Sequence, residues 1–89
     1  MAYMIYSVDD LSLAVDEDMI DQHRRYIRSF GSNVRMGGPL LDEVTGQPKG
    51  RVILIDFAAR ADAESFLFND PFFKIGRIKT YVIERMSIV

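Results

Sequence analysis

The stretch RVILIDF, residues 51–57, is the strongest β-strand signal in the chain. It is rich in β-branched and aromatic residues, and it follows EVTGQPKG, residues 43–50, in which turn formers predominate. Apolar side chains occupy both alternating sets of positions, which is typical of a strand covered on both faces. We therefore expect a central strand of a sheet here.

Three further strands are predicted around this one. Residues 33–42, NVRMGGPLLD, form a strand that the Gly-Gly-Pro step interrupts or bends, as happens at the edge of a sheet. Residues 2–8, AYMIYSV, again carry apolar side chains on both faces, and residues 77–89 end with alternating apolar positions.

Two helices are predicted between these strands. The first begins near Asp16, whose side chain can cap it, and ends at Gly31. A shorter helix covers residues 60–69 and is followed by NDPFFKIG. The only histidine, His23, lies in the middle of the apolar stripe that the first helix should bury. The other members of this stripe are Met19, Ile20, Tyr26, Ile27 and Phe30.

The resulting element order is βαββαβ. Right-handed crossovers fold this order into a ferredoxin-like plait, an α+β fold with a four-stranded antiparallel sheet and both helices on one face. Two helices cover only one face, whereas the first and third strands are apolar on both. We therefore predict that one domain, residues 1–89, forms a homodimer in which two copies pack through the open sheet face.

Composition excludes several classes of function. The chain of 89 residues has no cysteine and one histidine, which excludes disulfides, thiolate catalysis and sites built from several cysteines or histidines. Its net charge of −2 argues against nucleic acid as a partner. The apolar start MAYMIYSV is short and lacks a basic leader, so we expect no signal peptide, no membrane span and a cytoplasmic location.

Several motifs, taken in order, resemble the YCII-related family along nearly the whole chain. Their order and spacing carry the resemblance more than any single motif does. It implies a dimeric α/β barrel, and members with assigned roles include cofactor-free dehydrochlorinases and lactone-handling enzymes of aromatic degradation. The motifs are AYMIY in the first strand, His23, GGPLLD at 37–42, Gly50, and Asp70-Pro71-Phe72-Phe73 followed by Gly76.

The resemblance implies that His23 and Asp70 form an acid/base pair in a pocket between helices and sheet, without a metal or a cofactor. Asp70 would orient the imidazole and hold its tautomer. Each residue also has a structural interpretation: His23 as a core residue with satisfied nitrogens, and Asp70 as the N-cap of a turn that begins at Pro71. Helix periodicity and spacing do not establish a contact between the two.

Five further residues are candidates for binding a small hydrophobic ring compound. Phe72 and Phe73 could wall a pocket, although adjacent phenylalanines are also ordinary core residues. Gly38 and Pro39 mark a place where a ligand could approach the backbone closely. Arg24 could bind a carboxylate through a bidentate fork, or it could be a solvated charge on an exposed helix face.

Two functions from different classes fit the sequence. The first is a small cofactor-free enzyme that transfers a proton on a lactone or on a hydroxylated or halogenated aromatic ring, with isomerisation or loss of halide. The second is a noncatalytic dimeric domain that binds a small molecule or serves as an accessory module. An RNA-recognition domain is weakly supported, because KGRVILIDF places Arg51 and Ile53 where that motif needs stacking aromatics.

Overall fold

The computed structural model describes all 89 residues, and its strands form one antiparallel sheet in the order β2-β3-β1-β4. This is the predicted ferredoxin-like arrangement, with a third, short helix at Pro71–Lys74 where the sequence predicts only two. None of the helices is long and apolar enough to span a membrane. In chain order the elements are β1 (Ala2–Asp9), α1 (Glu17–Arg28), a 3-10 turn (Gly31–Asn33), β2 (Val34–Leu41), β3 (Pro48–Asp56), α2 (Arg60–Phe68), α3 (Pro71–Lys74) and β4 (Ile78–Met86).

The ends of helix α1 follow from local chemistry. Asp16 has an extended backbone, and its side chain accepts a hydrogen bond of 2.9 Å from the Met19 backbone N–H. Acidic residues occupy the first turn and basic residues the last, which complements the helix dipole. The helix ends at Arg28, earlier than predicted, and Gly31 with a φ of 55° starts the 3-10 turn instead.

Strand β3 begins three residues earlier than the sequence predicts. Pro48 and Gly50 pair with Leu41 and Leu40 of β2, so the end of the predicted loop is part of the sheet. The loop that remains is closed by Asp42, whose side chain accepts hydrogen bonds from two backbone N–H groups within it.

The helices cover one face of the sheet. Alternate side chains of β1, β3 and β4 point toward α2 and α3 and form the core with them. Helix α1 contributes no buried residue, and its apolar stripe packs against this core from outside. A polar side chain on the inner side of α1 therefore stays near solvent. The core residues are Tyr3, Ile5, Ile53, Ile55, Ala63, Phe66, Leu67, Phe72, Ile78 and Ile83.

The other face of the sheet carries no helix. Strands β1 and β3 are apolar on this side as well, as predicted, and their side chains here are half-buried or exposed. Strand β4 adds Val82, which pairs with Tyr6. We call the following residues the open face: Met4, Tyr6, Val8, Val52, Leu54 and Val82.

Replacement of Gly50 by alanine is expected to lower the free energy of unfolding by about 3 kcal/mol. A Cβ at this position would overlap with the Ser7 carbonyl oxygen and lie 3.1 Å from the Val8 Cα. Both atoms belong to the backbone of β1, so the clash can be relieved only by separating paired strands. Urea denaturation measures the loss. Gly38→Ala is the matched control, because a Cβ there meets nothing within 4 Å. Equal losses in the two variants would contradict the steric explanation.

Candidate functional site

His23 and Asp70 are in direct contact. His23 Nδ1 lies 2.8 Å from Asp70 Oδ1, although 47 positions separate the two residues in the chain. The contact forms because α1 packs against α3, which places the middle of α1 beside the start of α3. The Asp70 side chain is 2% exposed and the His23 side chain 13%, so the carboxylate is buried and the imidazole lies at the surface of the site.

The Asp70 carboxylate also caps helix α3. Its Oδ1 accepts a hydrogen bond of 2.9 Å from the Phe72 backbone N–H, and Pro71 occupies the first turn of that helix. The same oxygen thus serves the helix and the imidazole. Because the cap holds the carboxylate against the backbone, the position of Asp70 relative to His23 is set before any ligand binds.

The contact defines the tautomer of His23. An ionised carboxylate only accepts hydrogen bonds, so Nδ1 carries the proton and donates it to Asp70. In the neutral ring the lone pair is then on Nε2. Nε2 has no hydrogen-bond partner, and the chain contains no buried, unpartnered side-chain nitrogen or oxygen, so Nε2 reaches accessible space. At this atom the imidazole can take a proton from a bound molecule and return it.

The Phe72 ring stacks on one face of the His23 imidazole. The two ring centroids lie 4.2 Å apart, and the ring planes differ by 4°. Phe73 points elsewhere and packs against Phe68 and Tyr81, at centroid distances of 5.0 and 6.0 Å. Of the two predicted pocket walls, only Phe72 stacks on His23.

The other three predicted site residues lie apart from this pair. Gly38 and Pro39 are exposed on the edge strand β2, where they pair with Val52 and Arg51. Arg24 is exposed on α1. No hydrogen bond, ion pair or ring contact joins any of the three to His23 or Asp70. Arg24 borders a recess of about 320 Å³ together with Glu17, Ile20 and Asp21.

A second polar cluster lies next to Phe72. Arg51 donates hydrogen bonds of 2.8 and 2.6 Å to the two oxygens of Asp9, and one of 3.0 Å to Ser7 Oγ. Arg77 reaches the same carboxylate at 3.4 Å. The guanidinium carbon of Arg51 lies 5.2 Å from the centroid of the Phe72 ring. We call Ser7, Asp9, Arg51 and Arg77 the arginine cluster.

Sequence reasoning missed the arginine cluster, although one signal was present. Ser7 and Asp9 continue, with a period of two, the core-facing side of β1 on which Tyr3 and Ile5 lie. Polar residues at positions that a strand buries require partners. The same reasoning applies to Arg51, which precedes Ile53 and Ile55 on the core-facing side of β3.

Tyr26 fixes α1 beside the site. Its hydroxyl donates a hydrogen bond of 2.8 Å to the Phe66 carbonyl oxygen of α2. Burial, and after it the negative charge of Asp70, raises the pKa of the Tyr26 phenol above its ordinary value of 10.0. The phenol therefore stays protonated at neutral pH and remains a donor that ties α1 to α2.

A recess of about 550 Å³ lies elsewhere, between residues at the ends of β1, β3 and β4 and Arg35 of β2. Neither this recess nor the one beside Arg24 is lined by His23, Asp70 or Arg51. The pocket predicted around His23 is thus neither of these two spaces.

The chain matches one protein family and several solved structures. The family of the YCII-related domain matches residues 1–87. The structure of 5-chloro-2-hydroxyhydroquinone dehydrochlorinase from Burkholderia phenoliruptrix AC1100, in complex with 2,5-dihydroxybenzoquinone, has a TM-score of 0.88 at 29% identity, covering 98% of this chain and 94% of that chain.

Two weaker structural matches have TM-scores below 0.5. An Arabidopsis thaliana protein scores 0.48 at 8% identity, covering 99% of this chain and 97% of that chain. A dimeric ferredoxin-like protein of unknown function from Thermobifida fusca scores 0.47 at 12% identity, covering 99% and 92%. No functionally curated protein matches the chain in sequence.

Proposed function

The chain belongs to the YCII-related family, and on that premise we propose that it is a small cofactor-free enzyme. In this proposal His23 and Asp70 transfer a proton on a hydroxylated or halogenated ring compound or a lactone, with isomerisation or loss of halide. The single observation that carries the proposal is the 2.8 Å contact between His23 Nδ1 and Asp70 Oδ1. It leaves Nε2 as the base, held in orientation by a buried carboxylate.

The proposed reaction begins when His23 Nε2 removes the proton of a ring hydroxyl group. The electron pair of that oxygen forms a carbonyl, and the imidazolium returns the proton to a ring carbon, which completes an isomerisation. Where that carbon carries a halogen it is now tetrahedral, and removal of a second hydroxyl proton expels the halide with the electron pair of its bond. The net change is loss of one hydrogen halide.

Asp70 contributes to this reaction without exchanging a proton. Its carboxylate keeps the proton of His23 on Nδ1 and stabilises the imidazolium that forms when Nε2 is protonated. Phe72 keeps the ring plane fixed, so that Nε2 points in one direction. Proton transfer by a positioned group of this kind contributes about 10²- to 10⁴-fold in rate.

The test uses the ring compound on which the dehydrochlorinase acts. Purified protein is incubated with 5-chloro-2-hydroxyhydroquinone, and released chloride is measured against a reaction without protein. A second reaction in D₂O follows deuterium uptake at the ring carbons of 2-hydroxyhydroquinone by NMR, which detects proton transfer where no halide can leave. We expect acceleration of at least one of the two. Acceleration of neither contradicts the proposed reaction on this substrate class.

We also propose that a second copy of the chain covers the open face. The homodimer is supported by the apolar side chains at the centre of this face, which neighbouring positions of β1, β3 and β4 contribute. Leaving a continuous apolar patch in water costs free energy roughly in proportion to its area, and a two-fold contact of the patch with itself removes both copies from water.

Leu54→Glu is expected to convert the proposed dimer into a monomer. Leu54 pairs with Met4 and Met36 near the centre of the open face, so two copies of the glutamate would be buried there without partners. Within one chain Leu54 is only half-buried, and the variant can still fold. Sedimentation velocity gives the mass in solution. Val44→Glu, at a side chain that is 94% exposed, is the control. A wild type that sediments as a monomer would overturn the dimer.

The alternative function is a noncatalytic dimeric domain that binds a small molecule. The observation that favours it is that His23 and Asp70 line neither of the two recesses described above. Binding of 2,5-dihydroxybenzoquinone with equal affinity to wild type and His23→Gln, together with no turnover by either protein, would support this alternative over the enzyme.

A further inference from the structure

Two guanidinium groups share one carboxylate in the arginine cluster. The side chain of Asp9 is 3% exposed, and those of Arg51 and Arg77 are 11% and 13% exposed. Neither arginine forms an ion pair with any other acid. Within this largely buried cluster two positive charges face one negative charge, and the Asp10 carboxylate interacts with Arg77 from outside the cluster. A cation with little access to water attracts an anion more strongly than a solvated one does.

The two arginines differ in their hydrogen-bond partners. Arg77 donates to the backbone carbonyls of Asp10 and Leu13 as well as to Asp9, so it ties the segment after β1 to the start of β4. Arg51 uses only its two terminal nitrogens, and its Nε–H has no partner. Because no buried side-chain nitrogen lacks a partner, this Nε reaches accessible space.

Arg51 is also the arginine that lies near the proposed base. Its guanidinium carbon is 5.2 Å from the centroid of the Phe72 ring, and the imidazole of His23 is 4.2 Å from the same centroid. Both groups therefore lie against the same phenylalanine ring. We propose that Arg51 binds the substrate oxygen that becomes negatively charged when His23 takes its proton, an inference that rests on the proposed function for its substrate class.

The surroundings of Arg51 suit this task. One terminal nitrogen of Arg51 donates to both oxygens of Asp9 and the other donates to Ser7 Oγ, so the guanidinium is already oriented before a ligand arrives. A preorganised donor stabilises developing charge without a cost of reorganisation. The guanidinium does not itself give up a proton. Arg51 thereby selects planar ring compounds that carry an ionisable oxygen over their uncharged analogues.

The experiment compares two probes of similar shape and different charge. 2,5-Dihydroxybenzoquinone is a vinylogous acid and is anionic at neutral pH, whereas its dimethyl ether cannot ionise. Dissociation constants are measured by calorimetry for the wild type, Arg51→Gln, and the control Arg35→Gln. Arg35 forms an ion pair with Asp56 at 3.1 Å, far more exposed than the arginine cluster. Arg51→Gln leaves Asp9 paired with Arg77, so this variant is expected to fold, and the double variant Asp9→Asn/Arg51→Gln removes one charge of each sign.

Wild type is expected to bind the anion at least about tenfold more tightly than the ether, which corresponds to one charged hydrogen bond. This preference should disappear in Arg51→Gln and in the double variant, and persist in Arg35→Gln. Persistence of the preference without Arg51 overturns the inference, as does a wild type that binds the two probes equally or binds neither.

His23→Gln separates this inference from the proposed function. It is expected to keep the preference for the anion, since binding of the charged oxygen does not require the base. An Arg51-dependent preference without turnover supports binding of a charged ring oxygen by Arg51 and contradicts the proposed function. If turnover depends on His23 but the preference for the anion does not depend on Arg51, the proposed function stands and the inference is overturned.

Discussion

His23→Gln is expected to lower kcat for the proposed proton transfer by about 10²- to 10⁴-fold while the fold is retained. Glutamine approaches the size of the imidazole and can still hydrogen-bond to Asp70, but it cannot take a proton at the position of Nε2. Residues of α1 are not fully buried, so the substitution leaves no large cavity in the core. Chloride release and deuterium uptake measure the rate, and circular dichroism confirms the fold.

Asp70→Asn is the companion variant. Asparagine can still cap α3, but its amide carries no charge to stabilise the imidazolium and it does not restrict Nδ1 to the donor role. We expect a loss in kcat of about 10²-fold or more. The ring nitrogens of the single histidine are observable by ¹⁵N NMR, and the fraction protonated at Nδ1 should fall in the variant.

Asp16→Asn is the matched control for Asp70→Asn. Asp16 also caps a helix, but it is exposed and contacts no histidine. Its replacement should leave turnover and the tautomer of His23 unchanged. Full activity in Asp70→Asn, or an equal loss in Asp16→Asn, would contradict a specific role for the His23 and Asp70 pair.

Asp9→Ala is expected to lower the free energy of unfolding by about 3–5 kcal/mol. The carboxylate is the only acid that pairs with Arg51 and Arg77, so its removal leaves two largely buried guanidinium groups without a counter-charge. Urea denaturation at neutral pH measures the loss.

Asp56→Ala provides the control for this loss. Asp56 pairs with Arg35 at 3.1 Å, but the two side chains are 33% and 50% exposed, so we expect a cost below about 1 kcal/mol. The double variant Asp9→Ala/Arg51→Met should recover part of the stability lost in Asp9→Ala, because it removes one of the stranded charges. Similar losses in Asp9→Ala and Asp56→Ala would show that burial does not strengthen the cluster.

The order of the strands and of helices α1 and α2, and the two faces of the sheet, follow from the sequence alone, whereas the short helix α3 was not among the predicted elements. The apolar, β-branched and aromatic runs RVILIDF and AYMIYSV, the cap at Asp16 and the Asp70-Pro71 step are local signals, because each is carried by residues a few positions apart. The resemblance to the YCII-related family supplied His23 and Asp70 as a candidate pair. Local patterns also showed that the first and third strands are apolar on both faces.

Which polar groups meet depends on the tertiary packing. The contact between His23 and Asp70 depends on how α1 lies across the start of α3, and neither helix specifies that placement in its own residues. The arginine cluster likewise depends on the register that sets Ser7 opposite Arg51. Side-chain contacts between distant segments follow from the angles and registers that core packing imposes, and these are properties of the whole chain rather than of any one segment.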